Sequence, residues 1–444
     1  MRDTPSSVDP EATLRKVARR LVPFLVACFF AAYLDRVNLG FAALTMNRDL
    51  ELSPTAYGWG AGVFFLGYSL FEAPSNYILH HVGARRWIAR IMISWGLVSA
   101  AMAFVWNETS FVALRFLLCV AEAGFAPGAI LYLTYWIPLE RRARLLGAFL
   151  IAVPLSTAVG APISGLILEW ADGALGLKGW QWLFVLEALP TLALGAAAAF
   201  YLTDRPRDAG WLGAGEREWL ARRIESEAAA FGEDDHAIWP ALTDLRTFVL
   251  GLAYFGVVLS LYGLGMWLPQ IAAAFGLGPI AAGFATSAPF LCGAVAMTLW
   301  SRRSDRLQER VRHTALGAAA GGLGLLLAAA SSGHGGHDGG HAALSLLALC
   351  IAAGGTLAAM PPFWALCTDE VRGTRAALTI ALVNSIGNLA GLVGPYLVGW
   401  IRESTGDFRF ALLALASGPF ACVAIVLCLG RYRAPATANG VHRM

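Results

Sequence analysis

Long apolar runs alternate with short clusters of charge along the whole chain, and that rhythm sets its class. A helix needs roughly 20 apolar residues to cross the hydrocarbon core of a bilayer. Twelve segments meet this length, near 21–46, 55–80, 87–106, 109–137, 143–170, 180–202, 244–274, 279–301, 312–332, 342–367, 375–401 and 408–430. The longest polar interval, 203–243, lies in the middle and leaves six spans on either side. Within it, 216–230 reads as a short surface helix, with Glu218/Arg222 and Arg223/Glu227 four residues apart. The pattern predicts an all-α membrane protein with 12 transmembrane helices in two six-helix bundles. Its parts are a segment 1–20, a first bundle 21–202, a linker 203–243, a second bundle 244–430 and a tail 431–444.

Charge adds sidedness. Arginines cluster at alternate turns: Arg15, Arg19 and Arg20; Arg85, Arg86 and Arg90; Arg141, Arg142 and Arg144; Arg302, Arg303, Arg306, Arg310 and Arg312; Arg372 and Arg375; Arg431 and Arg433. The linker adds more, whereas the opposite side holds only Arg48, Lys178, Arg402 and Arg409. Basic loops stay inside, so the arginine-rich side and both termini are expected in the cytoplasm, with an inner membrane around the spans. The first apolar run lacks a small-residue cleavage site and reads as a retained span.

Composition agrees with this class: 57% of the 444 residues are hydrophobic and 14% charged, with mean hydropathy +0.59. A soluble domain carries about a quarter charged residues. The 48 glycines suit closely packed membrane helices. A net charge of +3 gives no footprint for nucleic acid. The seven cysteines show no C-x-x-C or metal-ligand spacing and read as small buried residues. No P-loop, catalytic triad or H-E-x-x-H motif is present, so neither an ATPase nor an intramembrane protease is expected.

The halves repeat weakly. Glu140-Arg141-Arg142-Ala143-Arg144 leads to Gly160-Ala161-Pro162 and Trp170, as Glu370-Val371-Arg372-Gly373-Thr374-Arg375 leads to Gly394-Pro395 and Trp400. The loop from His80 to Arg86 answers the loop from Ser304 to Arg310. Two repeated halves place a solute site at their interface, near the middle of the bilayer.

Four ionisable residues inside the spans are the candidate chemistry: Asp35 and Arg36 in the first, Arg115 and Glu122 in the fourth. Each costs about 2.5–3.5 kcal/mol at mid-bilayer, so such groups are retained for function or are paired. Arg115 and Glu122 share a helical face about 10 Å apart, while Asp35 and Arg36 point about 100° apart. One of the latter two is expected to face a cavity and the other to brace a neighbouring helix. Arg36 and Arg115 would hold an anionic solute through charge-assisted hydrogen bonds. Asp35 and Glu122 would carry protons, a solute competing for the arginine and freeing the carboxyl. The packing alternative is a pair of buried ion pairs that only fix the helices.

Other polar groups carry less. Asn384 and Asn388, four apart, present two amides that serve either a solute or helix contact. Tyr68, Tyr262, Trp267, Gln270 and Trp364 could line a cavity, with core packing favoured for the aromatics. Gly124-x-x-x-Gly128 around Pro127 points to a bend or close helix approach. His334, His337 and His341 lie in a glycine-rich loop and read as solvated, and His80 and His81 sit at a helix end.

These residues resemble the major facilitator superfamily, within it the anion:cation symporters, and among those the tartrate/phthalate-type carboxylate transporters. The resemblance spans nearly the whole chain. It rests on Tyr33-Leu34-Asp35-Arg36-Val37-Asn38 with Gly40 to Met46, on Arg115 to Glu122 with Ala123-Gly124-Phe125-Ala126-Pro127-Gly128, and on Tyr135-Trp136-Ile137-Pro138. Gly179 to Glu187 and Asp204-Arg205-Pro206 also match. The resemblance implies alternating access between two bundles and import of small organic anions with protons. It implies Asp35 and Glu122 as proton-coupling carboxyls, Arg36 and Arg115 as substrate or gating arginines, and Tyr68 as a cavity position. The superfamily's cytoplasmic motif Asp-Arg-x-Gly-x-Arg-Arg begins here with His80-His81, before Arg85 and Arg86. Its second copy keeps Asp305-Arg306, so the gate in the first half is expected to be held differently.

The leading expectation is therefore proton-coupled symport of a tartrate-like hydroxy-dicarboxylate, with no cofactor beyond the coupling proton. The expected partners are that solute and the lipid bilayer, and a monomer is usual for the resembled superfamily. A carboxylate exchanger or exporter would use the same residues. A transporter-like solute sensor would call for an added domain or long tail, and the tail here is short.

Overall fold

A computed structural model describes residues 8–230, 244–332, 339–368 and 373–432. His334, His337, Glu370, Val371, Arg372, Arg433 and Arg443 lie outside the described residues, as do the side chains of Arg144 and Arg375. Among the described residues there are fourteen α-helices and no strand. The first seven are α1 (Pro10–Asp49), α2 (Pro54–Val82), α3 (Ala84–Ala101), α4 (Glu108–Glu122), α5 (Phe125–Thr134), α6 (Leu139–Trp170) and α7 (Gly179–Tyr201). A linker helix α8 (Ala214–Ala230) follows. The rest are α9 (Leu245–Ala273), α10 (Pro279–Leu307), α11 (Arg310–Ser332), α12 (Gly339–Thr368), α13 (Gly373–Thr405) and α14 (Phe408–Tyr432).

Helix starts follow from capping chemistry. Asp9 accepts the N–H of Glu11 at 2.9 Å ahead of Pro10, and Ser53 accepts that of Ala56 at 3.1 Å ahead of Pro54. Asn107 and Ser110 satisfy each other's backbone at the start of α4. The Asp9 cap starts α1 well before residue 21, so the first span carries a basic extension. The fourth span, expected as one helix, is two. Gly124 takes φ +84 between α4 and α5, and a Cβ there would lie 2.4 Å from Ser75 Oγ. Counting α4 and α5 together, twelve segments span the membrane. Eleven are long and apolar enough by composition; α2 is the exception, diluted by Gly58, Gly60, Gly62 and Gly67 together with Glu72 and Asn76.

Within the first half, α1 packs on α6 and α7, α3 on α7, and α2 on α4. In the second, α9 packs on α13 and α14, and α12 on α10 and α11. The halves meet through α2 with α13, α6 with α10, and α1 with α9. The first two contacts exchange under the sequence repeat, as a two-fold arrangement of bundles requires.

Glycines set the closeness of these contacts. A Cβ on Gly58 would lie 2.5 Å from the Pro395 carbonyl oxygen, and one on Gly399 2.3 Å from that of Pro54. On the other seam, a Cβ on Gly165 would lie 2.5 Å from the Pro279 oxygen. All fall in the half of the molecule away from the arginine-rich face. Hydrogen bonds between the halves join there too: Thr55 N to Glu403 Oε2 (3.0 Å), Tyr57 Oη to the Met266 oxygen (2.9 Å), and Ser287 to the Ala158 carbonyl. From Ala56 to Tyr68 only Trp59 is exposed, whereas Leu70, Phe71, Tyr77, His80, His81 and Val82 are exposed further along α2. The halves are sealed toward the arginine-poor face and part toward the arginine-rich one.

Candidate functional site

Arg36 lies in the second half of α1, at the head of the cleft between the halves. Its Nη2 donates to Glu122 Oε1 at 2.6 Å, and its guanidinium packs over the rings of Tyr33 (4.8 Å), Phe64 (5.3 Å) and Tyr68 (5.5 Å). Glu122 is the last residue of α4, next to the Gly124 break, and is 2% exposed. The Arg36 side chain keeps 13% of its surface exposed, so the arginine is the water-facing member of the pair.

Arg115 lies two turns earlier on α4, toward the sealed side, and is 2% exposed. Its Nε donates to the Gly60 carbonyl at 3.2 Å, and its guanidinium also packs on Phe64, at 5.0 Å. Among the described residues no carboxylate stands within ion-pair distance of it. Arg115 shares the field of Glu122 with Arg36 but has no ion pair of its own among these residues, and a buried cation so placed favours a further anion nearby. The two arginines thus share Phe64, but only Arg36 reaches the cleft.

Asp35 turns the other way, into the first bundle. It accepts hydrogen bonds from Trp95 Nε1 (2.5 Å), Ser99 Oγ (2.7 Å) and Asn38 Nδ2 (3.0 Å). The expectation that one of the adjacent pair faces a cavity while the other braces a neighbour describes what is found. Asp35 does not join Arg36, Glu122 and Arg115 in one cluster.

Tyr68 lies against Arg36 on α2, and one turn further Glu72 is half-buried. Asn384 and Asn388 are half-buried on the face of α13 that carries Gly391, which meets Phe65 of α2. They continue that face toward the arginine-rich side, without a hydrogen bond to Arg36 or Tyr68. Tyr262 packs on Phe65 across the halves, the rings tilted with centroids 4.3 Å apart. Trp267 and Gln270 belong to the seal: Trp267 donates to the Pro395 carbonyl at 3.0 Å, and Gln270 accepts from Arg402 at 2.9 Å. Trp364 packs on Tyr254 at 4.8 Å.

At the arginine-rich rim, Arg86 and Arg306 are exposed, and Asp305 pairs with Arg310 of its own loop at 2.5 Å. The first-half loop finds its acid in the linker: Asp204 Oδ1 accepts the Arg85 backbone N–H at 2.8 Å, over Gly83 at φ +98. His80 meets the Tyr135 hydroxyl at 3.0 Å, and Arg205 covers that ring at 3.7 Å.

Reading the chain for intramembrane charge singled out four residues and passed over Glu72 and Glu187. Both are lone carboxyls in apolar spans, and that signal alone could have found them. Glu187 is 2% exposed and accepts the Ser164 hydroxyl at 2.7 Å.

The family model of the Major Facilitator Superfamily matches residues 25–395 and again 250–443. A protein of Agrobacterium vitis named "Putative tartrate transporter" is 48% identical over 418 residues, 94% of this chain and 94% of that protein. The "Inner membrane transport protein RhmT" of Escherichia coli K12 is 36% identical, over 97% of this chain and 98% of its own. Among solved structures, a bacterial homologue of the human lysosomal transporter Spinster superposes with TM-score 0.73. It covers 92% of this chain and 96% of that one at 15% identity, a likeness of fold.

Proposed function

The chain belongs to the major facilitator superfamily, whose members are transporters and not enzymes, and on that premise we propose that it is a proton-coupled symporter of a small organic anion. The substrate is a hydroxy-dicarboxylate of the size of tartrate, the solute named for the relative at 48% identity. One observation carries the reading: Arg36 and Glu122 form a 2.6 Å pair at the head of the cleft, with the buried Arg115, which has no ion pair of its own among the described residues, behind Phe64. A solute carboxylate competes with Glu122 for the planar fork of Arg36. Once displaced, Glu122 is a buried carboxyl without its cation and takes up a proton. Solute and proton then enter the site together. Tyr68, Asn384 and Asn388 offer hydrogen bonds to the solute's hydroxyl groups and far carboxylate, and Asp35 is the second proton carrier.

The arginine-rich face is cytoplasmic, both termini lie there, and the protein works as a monomer in the inner membrane. Arg85, Arg86, Asp305 and Arg306 guard the cytoplasmic opening. The decisive experiment is tartrate uptake into proteoliposomes under an imposed inward proton gradient. Glu122→Gln is expected to abolish accumulation while tartrate binding persists; accumulation by the variant removes Glu122 from coupling. Uptake that needs internal carboxylate rather than a proton gradient marks an exchanger.

A further inference from the structure

Glu187 is a carboxyl in the core of the first bundle that neither intramembrane arginine reaches. Its Oε1 accepts the Ser164 hydroxyl, while Oε2 is buried with no hydrogen-bond partner. Asp35 acts on it as a like charge, and Asn38, bonded to Asp35 at 3.0 Å, acts on both carboxyls. The four elements that meet here, α1, α3, α6 and α7, contribute Asp35 and Asn38, Trp95 and Ser99, Ser164, and Glu187. Arg36 is turned away to Glu122, so no cation stands between the two acids. Glu122 also acts on Asp35, and it adds like charge.

The donors are shared unequally. Asp35 receives three hydrogen bonds, from Trp95, Ser99 and Asn38, as an ionised carboxylate does. Glu187 receives one well-formed bond, from Ser164; its second oxygen has no partner at hydrogen-bond distance, and the Asn38 amide acts on the carboxyl only more weakly. Two ionised carboxylates in one dry site repel, and a shared proton relieves the repulsion. A carboxyl oxygen left without a well-formed donor is the one that holds a proton at least cost.

We propose that Asp35 and Glu187 form a proton-holding pair behind the cleft, one proton resting on Glu187 Oε2 while Asp35 remains ionised. The inference rests on the symport reading and deepens it, adding Glu187 as a proton site out of contact with the solute. The oxygens of Asp35, Asn38, Ser99, Ser164 and Glu187 also resemble a sodium cage. However, the N–H and O–H donors aimed at Asp35 occupy the lone pairs that a metal ion needs.

The test compares wild type, Glu187→Gln, Glu187→Asp and Glu122→Gln in proteoliposomes. It measures tartrate accumulation driven by a proton gradient and tartrate counterflow at equal pH. Glu187→Gln keeps an oxygen for Ser164 and is expected to lose accumulation and keep counterflow, with partial recovery in Glu187→Asp. Infrared spectra at neutral pH are expected to show a protonated-carboxyl band in wild type that Glu187→Gln lacks. Wild-type-like accumulation by Glu187→Gln, while Glu122→Gln fails, overturns the pair and leaves symport standing. A wild type indifferent to the proton gradient overturns both, and accumulation driven by sodium instead overturns the proton assignment. If Glu187→Gln also loses counterflow, the wild-type spectrum decides, and absence of the band overturns the pair.

Discussion

Arg36 carries the site through shape as much as through charge. Its guanidinium contacts three rings and one carboxylate at once, which an ammonium on a flexible stem does not reproduce. Arg36→Lys is expected to weaken tartrate binding by about 1.5–3 kcal/mol, the worth of a hydrogen bond to a charged group. Titration calorimetry on purified protein measures it, and unchanged affinity takes Arg36 out of the site. On the other side of α1, Trp95→Phe leaves Asp35 Oδ2 without its donor. The expected cost is about 1–3 kcal/mol, read as a lower Tm in detergent. The adjacency of Asp35 and Arg36 was plain in the sequence, as was their divergence of about 100° around the helix. Their partners were not. Glu122 follows Arg36 by 86 residues and Glu187 lies on the seventh helix, so only the assembled bundle shows that each acid serves a different neighbourhood.

At the scale of elements, apolar run length located the spans, and the alternation of arginines fixed α2 as one of them despite its glycines. Without α2 the basic clusters would fall on both faces. Run length does not register a break inside a span, but the Gly124-x-x-x-Gly128 pattern around Pro127 pointed to a bend or close approach, and the break falls at Gly124. Its φ of +84 is open to glycine, and Ser75 fills the space a side chain would need. Gly124→Ala is expected to cost about 1–2 kcal/mol and to displace Glu122, lowering both Tm and proton-driven uptake. The linker helix α8 is tied to the first bundle by Lys16–Glu216 at 2.9 Å and Arg223–Glu140 at 2.5 Å. The Gly213 backbone N–H, followed by Lys16, holds the Glu216 carboxyl below the ordinary carboxylate range. A depressed carboxyl contributes its hold above its ordinary range and loses it as pH falls through the lowered one. Limited proteolysis of the linker should therefore be slow and unchanging near neutrality and accelerate only in acid; a rise at alkaline pH counts against this contact.

For the whole molecule, two bundles meet along seams that the repeat relates, closed at one end and parted at the other. Such an arrangement serves alternating access by rocking, and the glycines of the seal decide whether it can close. Gly58→Val sets a branched side chain against the Pro395 backbone, which cannot yield as a side-chain tip would. The variant is expected to open at the seal and to close at the arginine-rich rim. Spin labels at Arg86 and Arg306 should then move closer in double electron–electron resonance, and an unchanged distance distribution refutes the rocking geometry.

Main chain laid against main chain has a consequence for energy conversion. The glycine contacts of this gasket, carbonyl edges laid on Cα atoms, contain nothing that titrates, and the one carboxylate that joins the halves beside them among the described residues is Glu403, on the Thr55 N–H. Acid strong enough to load the carboxyls on the open side leaves those glycine contacts as tight as before and can loosen only the Glu403 contact at their edge. A transporter built this way should dissipate little of its driving force through idle leakage, even at the acidity at which it works hardest.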